Sequence, residues 1–425
     1  MRYFLSPYFY LAVAVGAGAF QVAIGRTKLP PNVILAIISC GFILTFFDLD
    51  RAAILCVGLA LGVNFAAARL FKGKRAQAAP RLGLALLWGT VAFDLLLLGL
   101  AKYFVIQSAE PGRAFGLRFS VGNESVYPLR IIGISYFTFK LIHFVVDAHS
   151  KSDRKVPFWT YFSFMLFFPT FVSGPIDRFD RFSADVDTLR GFRFDAAVFN
   201  VALYRIASGL CRKFAATALM QYTIGAMPPA VFATAPLATI IVGVYLFTAV
   251  LYLDFSGYTD LAIGIAYVFG IKTPENFDNP FRALSIQEYW MRWHITLSLW
   301  IKDYVYFPLL KFLYTTRLST WSALLPVIAF CVAFTLCGLW HGGSLSFVVW
   351  GALNGLGLGV YSFYSGLMRK RTVKRLYNKL SATPVWIGLS WLTTMTFVAL
   401  VNVFFALDWD GALAVFGRLL GMTAG

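Results

Sequence analysis

Charge is scarce in this sequence, and negative charge scarcer still. Only 13% of its 425 residues are Asp, Glu, Lys or Arg, with 20 acids against 37 bases; soluble domains carry about 25%. No polar linker, low-complexity tract or internal repeat divides the chain, so a string of soluble domains is excluded. Cysteine is also rare. Cys40, Cys56, Cys211, Cys331 and Cys337 all lie in apolar runs, without metal-ligand spacing. They read as small core residues and exclude both a cysteine metal centre and a disulfide framework.

What fills the chain is apolar: 59% hydrophobic and 17% aromatic. Stretches long enough to cross a ~30 Å hydrocarbon core recur. They are 3–25, 32–47, 52–71, 82–106, 128–147, 197–220, 236–268, 319–340, 344–367 and 384–407. The first is too long, and too poor in cleavage signals, for a removed signal peptide. The fold class is therefore all-α, a polytopic membrane protein of about 10–12 transmembrane helices, read as a single membrane domain over 1–425.

The net charge of +17 follows from membrane topology rather than nucleic-acid binding. Segment 69–81 holds Arg69, Lys72, Lys74, Arg75 and Arg81, and 369–379 holds Arg369, Lys370, Arg371, Lys374, Arg375 and Lys379, neither with an acid. By contrast, 221–238 has no charge at all. The excess of bases on cytoplasmic loops puts the two basic segments inside and 221–238 outside.

Two more segments, 157–176 and 296–313, are apolar but compromised. In "FMLFFPTFVSGPIDRF", Pro169, Gly174 and Pro175 break the helix, so 157–176 reads as a re-entrant or broken element. Segment 296–313 contains Lys302 and Asp303, costly in lipid, and is expected partly buried near the cytoplasmic side.

The longest polar interruption runs over 254–303. Within it "TPENFDNPF" cannot be helical, since Pro274 and Pro280 bracket turn-forming Asn276, Asp278 and Asn279. A helix then begins at Ser285, which forms a capping box with Glu288, while Glu288 and Arg292 sit at i,i+4. A continuous helix would put Trp290, Trp293, His294 and Leu297 on one face. Asp254 and Asp260 sit at membrane depth, where a carboxylate lines a polar cavity or pairs with a base; Arg282 or Arg292 is the simplest partner.

The four histidines divide. His149 adjoins Ser150, Lys151 and Asp153 and reads as solvated; His143 lies one turn before Asp147 and reads as a packed or locally bonded ring. His294 and His341 both adjoin tryptophan, His341 within "CGLWHGGSLSF". A ring placed in such apolar surroundings favours its uncharged form, ready to accept a proton.

The blocks "YLDFSGYTDLAIGIAYVFGIKTPENFDNPF", "IQEYWMRWHITLSLWIKDYVYFPL" and "GLWHGGSLSFVVWGALNGL" resemble the signature blocks of the membrane-bound O-acyltransferases. "GISYFTFK" and "FMLFFPTFVSGPIDRFDRF" are most similar to its DltB-like, D-alanyl-transferring branch, and somewhat less so to the alginate O-acetylating branch. The matching blocks spread over 133–357.

The resemblance implies acyl transfer through a central tunnel. It assigns His341 and His294 as catalytic, with Trp340, Trp293, Trp290, Asn354, Asp254 and Asn276 along the substrate path. It implies no permanently bound cofactor and no metal. The donor would be an acyl thioester on the phosphopantetheine of a carrier protein at the cytoplasmic face. The acceptor would be a hydroxyl of an envelope polymer, reached directly or through an extracytoplasmic transferase or small relay partner. A bacterial cell membrane is the implied location, and Arg292, Lys302, Arg317 and segment 369–379 would attract an acidic carrier. One departure stands out: relatives often carry His-Gly where this chain has Asn354-Gly355, and Asn hydrogen-bonds but takes no proton at neutral pH. Gly342 and Gly343 would leave room beside His341 for a pantetheine arm or the acceptor. Without the resemblance, a transporter whose histidines line a polar path fits the same residues.

Overall fold

A computed structural model describes residues 2–47, 51–73, 79–103, 133–151, 156–368 and 371–422. Lys74, Arg75, Asp153, Arg369, Lys370 and the start of the 128–147 stretch lie outside the described residues. Within them the chain is helical, without strands. Each apolar stretch coincides with a helix. Six helices are long and apolar enough to cross a membrane: Pro7–Arg26, Ala53–Leu70, Pro80–Lys102, Leu237–Val268, Leu345–Met368 and Pro384–Ala406. Pro31–Phe46 and Leu325–His341 are shorter apolar helices. The chain is a multi-pass membrane protein.

Contacts gather into two compact units. The first takes the described residues up to Cys211 together with Gly257–Glu275. It contains α1 (Pro7–Arg26), α2 (Pro31–Phe46), α3 (Arg51–Leu70), α4 (Pro80–Tyr103) and α5 (Ile134–Ser150), then the short α6 (Phe158–Met165), α7 (Phe168–Phe171) and α8 (Phe179–Thr188). The break expected in 157–176 is present, since α6 stops at Met165 and the chain is non-helical after α7. Lys140, fully buried, holds this break together. Its ammonium donates to the Phe164 carbonyl (3.2 Å), which the interrupted helix leaves over, and to the Thr170 hydroxyl (3.0 Å). Asp177 pairs with Arg181 close by.

His143 is buried, with Nδ1 3.2 Å from the Phe139 carbonyl and Nε2 accepting from the Phe179 N–H, as its local reading predicts. His149 is half-buried and edge-on to Phe71 (5.0 Å) rather than solvated, because α3 ends beside it. Asp260 pairs with Arg205 at 2.7 Å.

The second unit takes Arg212–Ser256 and the described residues from Asn276 onward. The end of α9 (Ala196–Met220), the short α10 (Pro229–Thr234) and most of α11 (Leu237–Val268) lead into it. Next come α12 (Ile286–Arg292), α13 (Ile295–Ile301) and, after a π-helical turn at Lys302–Tyr306, α14 (Phe307–Thr315). Segment 296–313 is thus carried in pieces, with Lys302 and Asp303 exposed at the junction. The unit closes with α15 (Leu325–His341), α16 (Leu345–Met368), α17 (Arg371–Ser381), α18 (Pro384–Val401), α19 (Val403–Ala406) and α20 (Trp409–Leu419). The second basic segment is therefore largely a helix, α17, rather than a loop.

The tightest packing joins α15 to α16. A Cβ placed on Gly338 would collide with the Phe347 carbonyl, one on Gly351 with the Phe334 carbonyl, and one on Gly355 with the backbone of Cys331. Small residues let the two backbones touch, as apolar membrane helices require when no hydrophobic force separates helix from lipid. This seam fixes the end of α15, where His341 sits.

Candidate active site

His294 is placed by a chain break that the sequence conceals. The capping box forms as predicted: Ser285 Oγ accepts from the Glu288 N–H (3.1 Å) and the Glu288 carboxylate accepts from the Leu284 N–H (2.8 Å). Arg292 donates to Glu288 at 3.0 Å. The continuous helix expected through Leu297 does not form. α12 stops at Arg292, and His294 takes a left-handed backbone conformation (φ 43°, ψ 51°) before α13 starts. The cause is the extended stretch 276–278. Asp278 N–H donates to the Arg292 carbonyl, and the Asn276 carbonyl accepts from the Ile295 N–H, each at 2.9 Å. These bonds replace those an uninterrupted helix would have made. A non-glycine residue with positive φ costs of order 1–3 kcal/mol and clusters at functional sites.

Asn276 also sets the ring. Its side-chain oxygen accepts from the Thr296 N–H (3.2 Å) and the Thr296 hydroxyl (2.8 Å), and His294 Nδ1 lies 3.0 Å from the same oxygen. A backbone N–H can only donate, so the contacting amide atom is oxygen and His294 Nδ1 carries the proton. The lone pair is then on Nε2. Burial lowers the His294 pKa from 6.5 to about 3, so the ring is neutral at physiological pH.

His341 ends α15 and is held by aromatic edges: Trp340 (4.5 Å between centroids), Phe405 (5.0 Å) and Trp350 (5.1 Å). Both histidines line one cavity of about 50 Å³, with Trp290, Trp293, Trp350, Asn354, Asn402 and Phe405 among its walls. Among the described residues, the cavity wall contains no acidic, lysine or arginine side chain.

A string of amides fixes the tryptophan walls. Trp290 Nε1–H donates to Asn354 Oδ1 (3.1 Å), and Asn354 Nδ2 donates to the Trp350 carbonyl (2.9 Å). Trp350 Nε1–H donates to Asn402 Oδ1 (3.1 Å), and Asn402 Nδ2 donates to the Thr248 hydroxyl (3.2 Å).

Of the residues that the sequence singled out, His294, His341, Trp290, Trp293 and Asn354 meet at this cavity. Asn276 stands behind His294, and Trp340 packs on His341 without lining the cavity. Asp254 is not at the wall; it pairs with Lys213, one long helix facing another, instead of Arg282 or Arg292. Arg292 is committed to Glu288 and Asp278. The room expected beside Gly342 is filled, since a Cβ there would lie 2.5 Å from the Phe347 ring. Trp350, Asn402 and Phe405 escaped the sequence reading. Asn402 had a signal, a lone amide within an apolar span; the two aromatics had none.

The chain is 32% identical to the teichoic acid D-alanyltransferase of Bacillus subtilis over 247 residues, 57% of this chain and 61% of the relative. It is 28% identical to the peptidoglycan O-acetyltransferase of Helicobacter pylori over 369 residues, 80% and 65% of the respective chains. It is 32% identical to the probable alginate O-acetylase AlgI of Pseudomonas aeruginosa over 299 residues, 68% and 52%. The matched region thus spans less than two thirds of these relatives' own lengths. The family model of the membrane-bound O-acyltransferases matches residues 86–406. A match that begins inside α4 and runs to the end of α19 makes the chain a member of the membrane-bound O-acyltransferase family.

Proposed function

We propose that the chain transfers a small acyl group, D-alanyl in the first reading, from a phosphopantetheine thioester to a hydroxyl of an envelope polymer in a bacterial cell membrane. The thioester would arrive on a carrier protein at the cytoplasmic face. The acceptor would be the polymer itself, or an extracytoplasmic transferase or small relay partner that passes the group on. The observation that carries this is the shared cavity: two imidazoles, one held neutral in a defined tautomer, face one cavity of about 50 Å³. That space takes about three or four water-sized groups, a carbonyl with one or two carbons but no long alkyl chain.

In the step proposed, His341 takes the proton of the acceptor hydroxyl as its oxygen attacks the thioester carbonyl. A C–O bond forms, the C–S bond breaks, and the proton returns to the departing thiolate. Neutral imidazole suits this because the thioester is already activated and the hydroxyl is the weak partner. A second cavity, of about 580 Å³, shares Trp290 with the first and has Lys302 on its wall. It is of a size that holds small organic ligands and would seat the donor's arm.

A second reading, acetyl transfer, is favoured by one observation. The cavity wall offers no carboxylate to the ammonium of an alanyl group, which would rest only on aromatic faces. The deciding experiment supplies purified protein in membranes with a D-alanyl carrier thioester or an acetyl thioester and counts new ester on the polymer. His341→Ala and His294→Ala should each lower ester formation about 10²–10⁴-fold with the protein still folded. Undiminished transfer in both variants would remove the assignment.

A further inference from the structure

A cavity of about 760 Å³ in the second unit has no part in the chemistry above. It is a groove between α16 and α18, roofed at one end by α17. Its depth is aliphatic and aromatic, with Leu356, Val360 and Leu389 exposed at 47%, 57% and 57% and Phe397 behind them. At the α17 end the wall changes character: Tyr364, Tyr377 and Trp386 stand ring edge to ring face, with centroids 6.1 Å apart in each pair. Tyrosine and tryptophan mark the headgroup level of a bilayer.

Helix α17 places cations at that level. Tyr377 and Ser381 line the groove, and Lys374 lies one turn before Tyr377 on the same side of the helix. Lys374, Arg375 and Lys379 are all exposed, and α17 has no acidic residue. Arg375 and Lys379 lie on the opposite face of α17, so Lys374 is the base on the groove's side, and an apolar groove that ends in an aromatic rim with a base beside it is complementary to one kind of occupant.

We propose that this groove binds an anionic glycerophospholipid, acyl chains along α16 and α18 and headgroup phosphate at Lys374. Apolar burial alone would hold any lipid; charge complementarity with an anionic headgroup makes the site selective. The groove wall also includes Ile286 and Glu288 of α12, so the occupant would brace the helix that leads into His294.

The test is native mass spectrometry of the purified full chain, exchanged into mixed micelles of phosphatidylglycerol and phosphatidylcholine, with a photoreactive acyl chain to locate the lipid. The wild type should retain phosphatidylglycerol at least fivefold over phosphatidylcholine and crosslink to α16 or α18. Lys374→Gln should lose the preference but keep the crosslink, whereas an Arg375→Gln, Lys379→Gln variant, altered on the opposite face of α17, should keep both. Val360→Trp, which fills the groove, should lose the crosslink for both lipids while remaining monodisperse. Equal retention of the two lipids by the wild type, an unchanged preference in Lys374→Gln, or crosslinks elsewhere on the chain would each overturn the proposal. So would displacement of both lipids by a co-purifying protein helix seated in the groove.

Discussion

His294 and Asn276 share one hydrogen bond of 3.0 Å, and through it the extended stretch before α12 dictates which ring nitrogen holds the proton. Removing the oxygen should unlock the ring and strand the Thr296 N–H. Asn276→Leu is expected to cost about 1–3 kcal/mol of stability for the unsatisfied donor, and more than tenfold in transfer rate. Asn276→Asp should act differently. A carboxylate beside the imidazole favours its charged form and raises the His294 pKa from about 3. The rate of ester formation, flat with pH near neutrality in the wild type as far as His294 is concerned, should gain an acid limb in this variant. An identical pH–rate profile in the two proteins would mean that the ring takes no part.

The same group makes stability depend on pH. In the unfolded chain the imidazole titrates near 6.5, and in the folded protein near 3. Between those values the unfolded state binds a proton that the folded state refuses, so stability rises with pH there. The contribution is complete above about pH 6.5 and is lost progressively as pH falls towards 3, by at most roughly 5 kcal/mol. His294→Gln keeps a donor for Asn276 but cannot titrate. The gap in Tm between variant and wild type, measured in detergent at pH 7.5 and pH 4.5, should shift in favour of the variant at the lower pH. A constant gap would show that burial of this ring is not what acid attacks.

Much of the site was legible because its signals were local. The capping box at Ser285, the Glu288–Arg292 pair and the proline-broken segment after Met165 all depend on residues within a few positions of each other. What failed depended on distance. Helical periodicity through His294 gave no warning that Asn276, 18 residues earlier, would take over the backbone bonds and end the helix. The partner of Asp254 was sought among nearby arginines in the polar interruption and found on Lys213, 41 residues back. The room inferred from Gly342 was a statement about the absence of a side chain. Space depends on what else moves in, here Phe347.

The glycine seam between α15 and α16 supplies a stability test away from the chemistry. Gly351→Ala must push its Cβ into the Phe334 carbonyl, and Gly338→Ala into that of Phe347. Neither backbone atom can rotate away as a side chain would, so the helices must separate. Each variant is expected to lower the detergent Tm and to reduce transfer through displacement of His341. Gly366→Ala, on the same helix with open space around its Cα, should leave both unchanged and serves as the control. Equal tolerance of alanine at all three positions would mean that the backbones do not touch.

The amide string gives the last prediction, one about selectivity rather than rate. Trp350 forms a wall beside His341, and its indole is held by Asn402, whose own orientation is fixed by Thr248. In lipid-facing spans, polar side chains that bond across helices contribute ~0.6 kcal/mol each on average, enough to bias a rotamer but not to hold the fold. Asn402→Leu should therefore fold, yet leave Trp350 without the bond that pins it. The cavity of about 50 Å³ would then admit longer acyl groups. The measurement is competition between acetyl and butyryl thioesters of the same donor. The wild type should discriminate strongly against butyryl; Asn402→Leu and Trp350→Ala should both relax that discrimination, by about 10-fold or more, since one or two methylenes in a fitted pocket are worth about 1–3 kcal/mol. Trp350→Phe keeps a ring but no donor and should fall between them. A variant that loses rate on both donors equally, with the ratio intact, would show that the string supports the fold and leaves the size of the cavity to other walls.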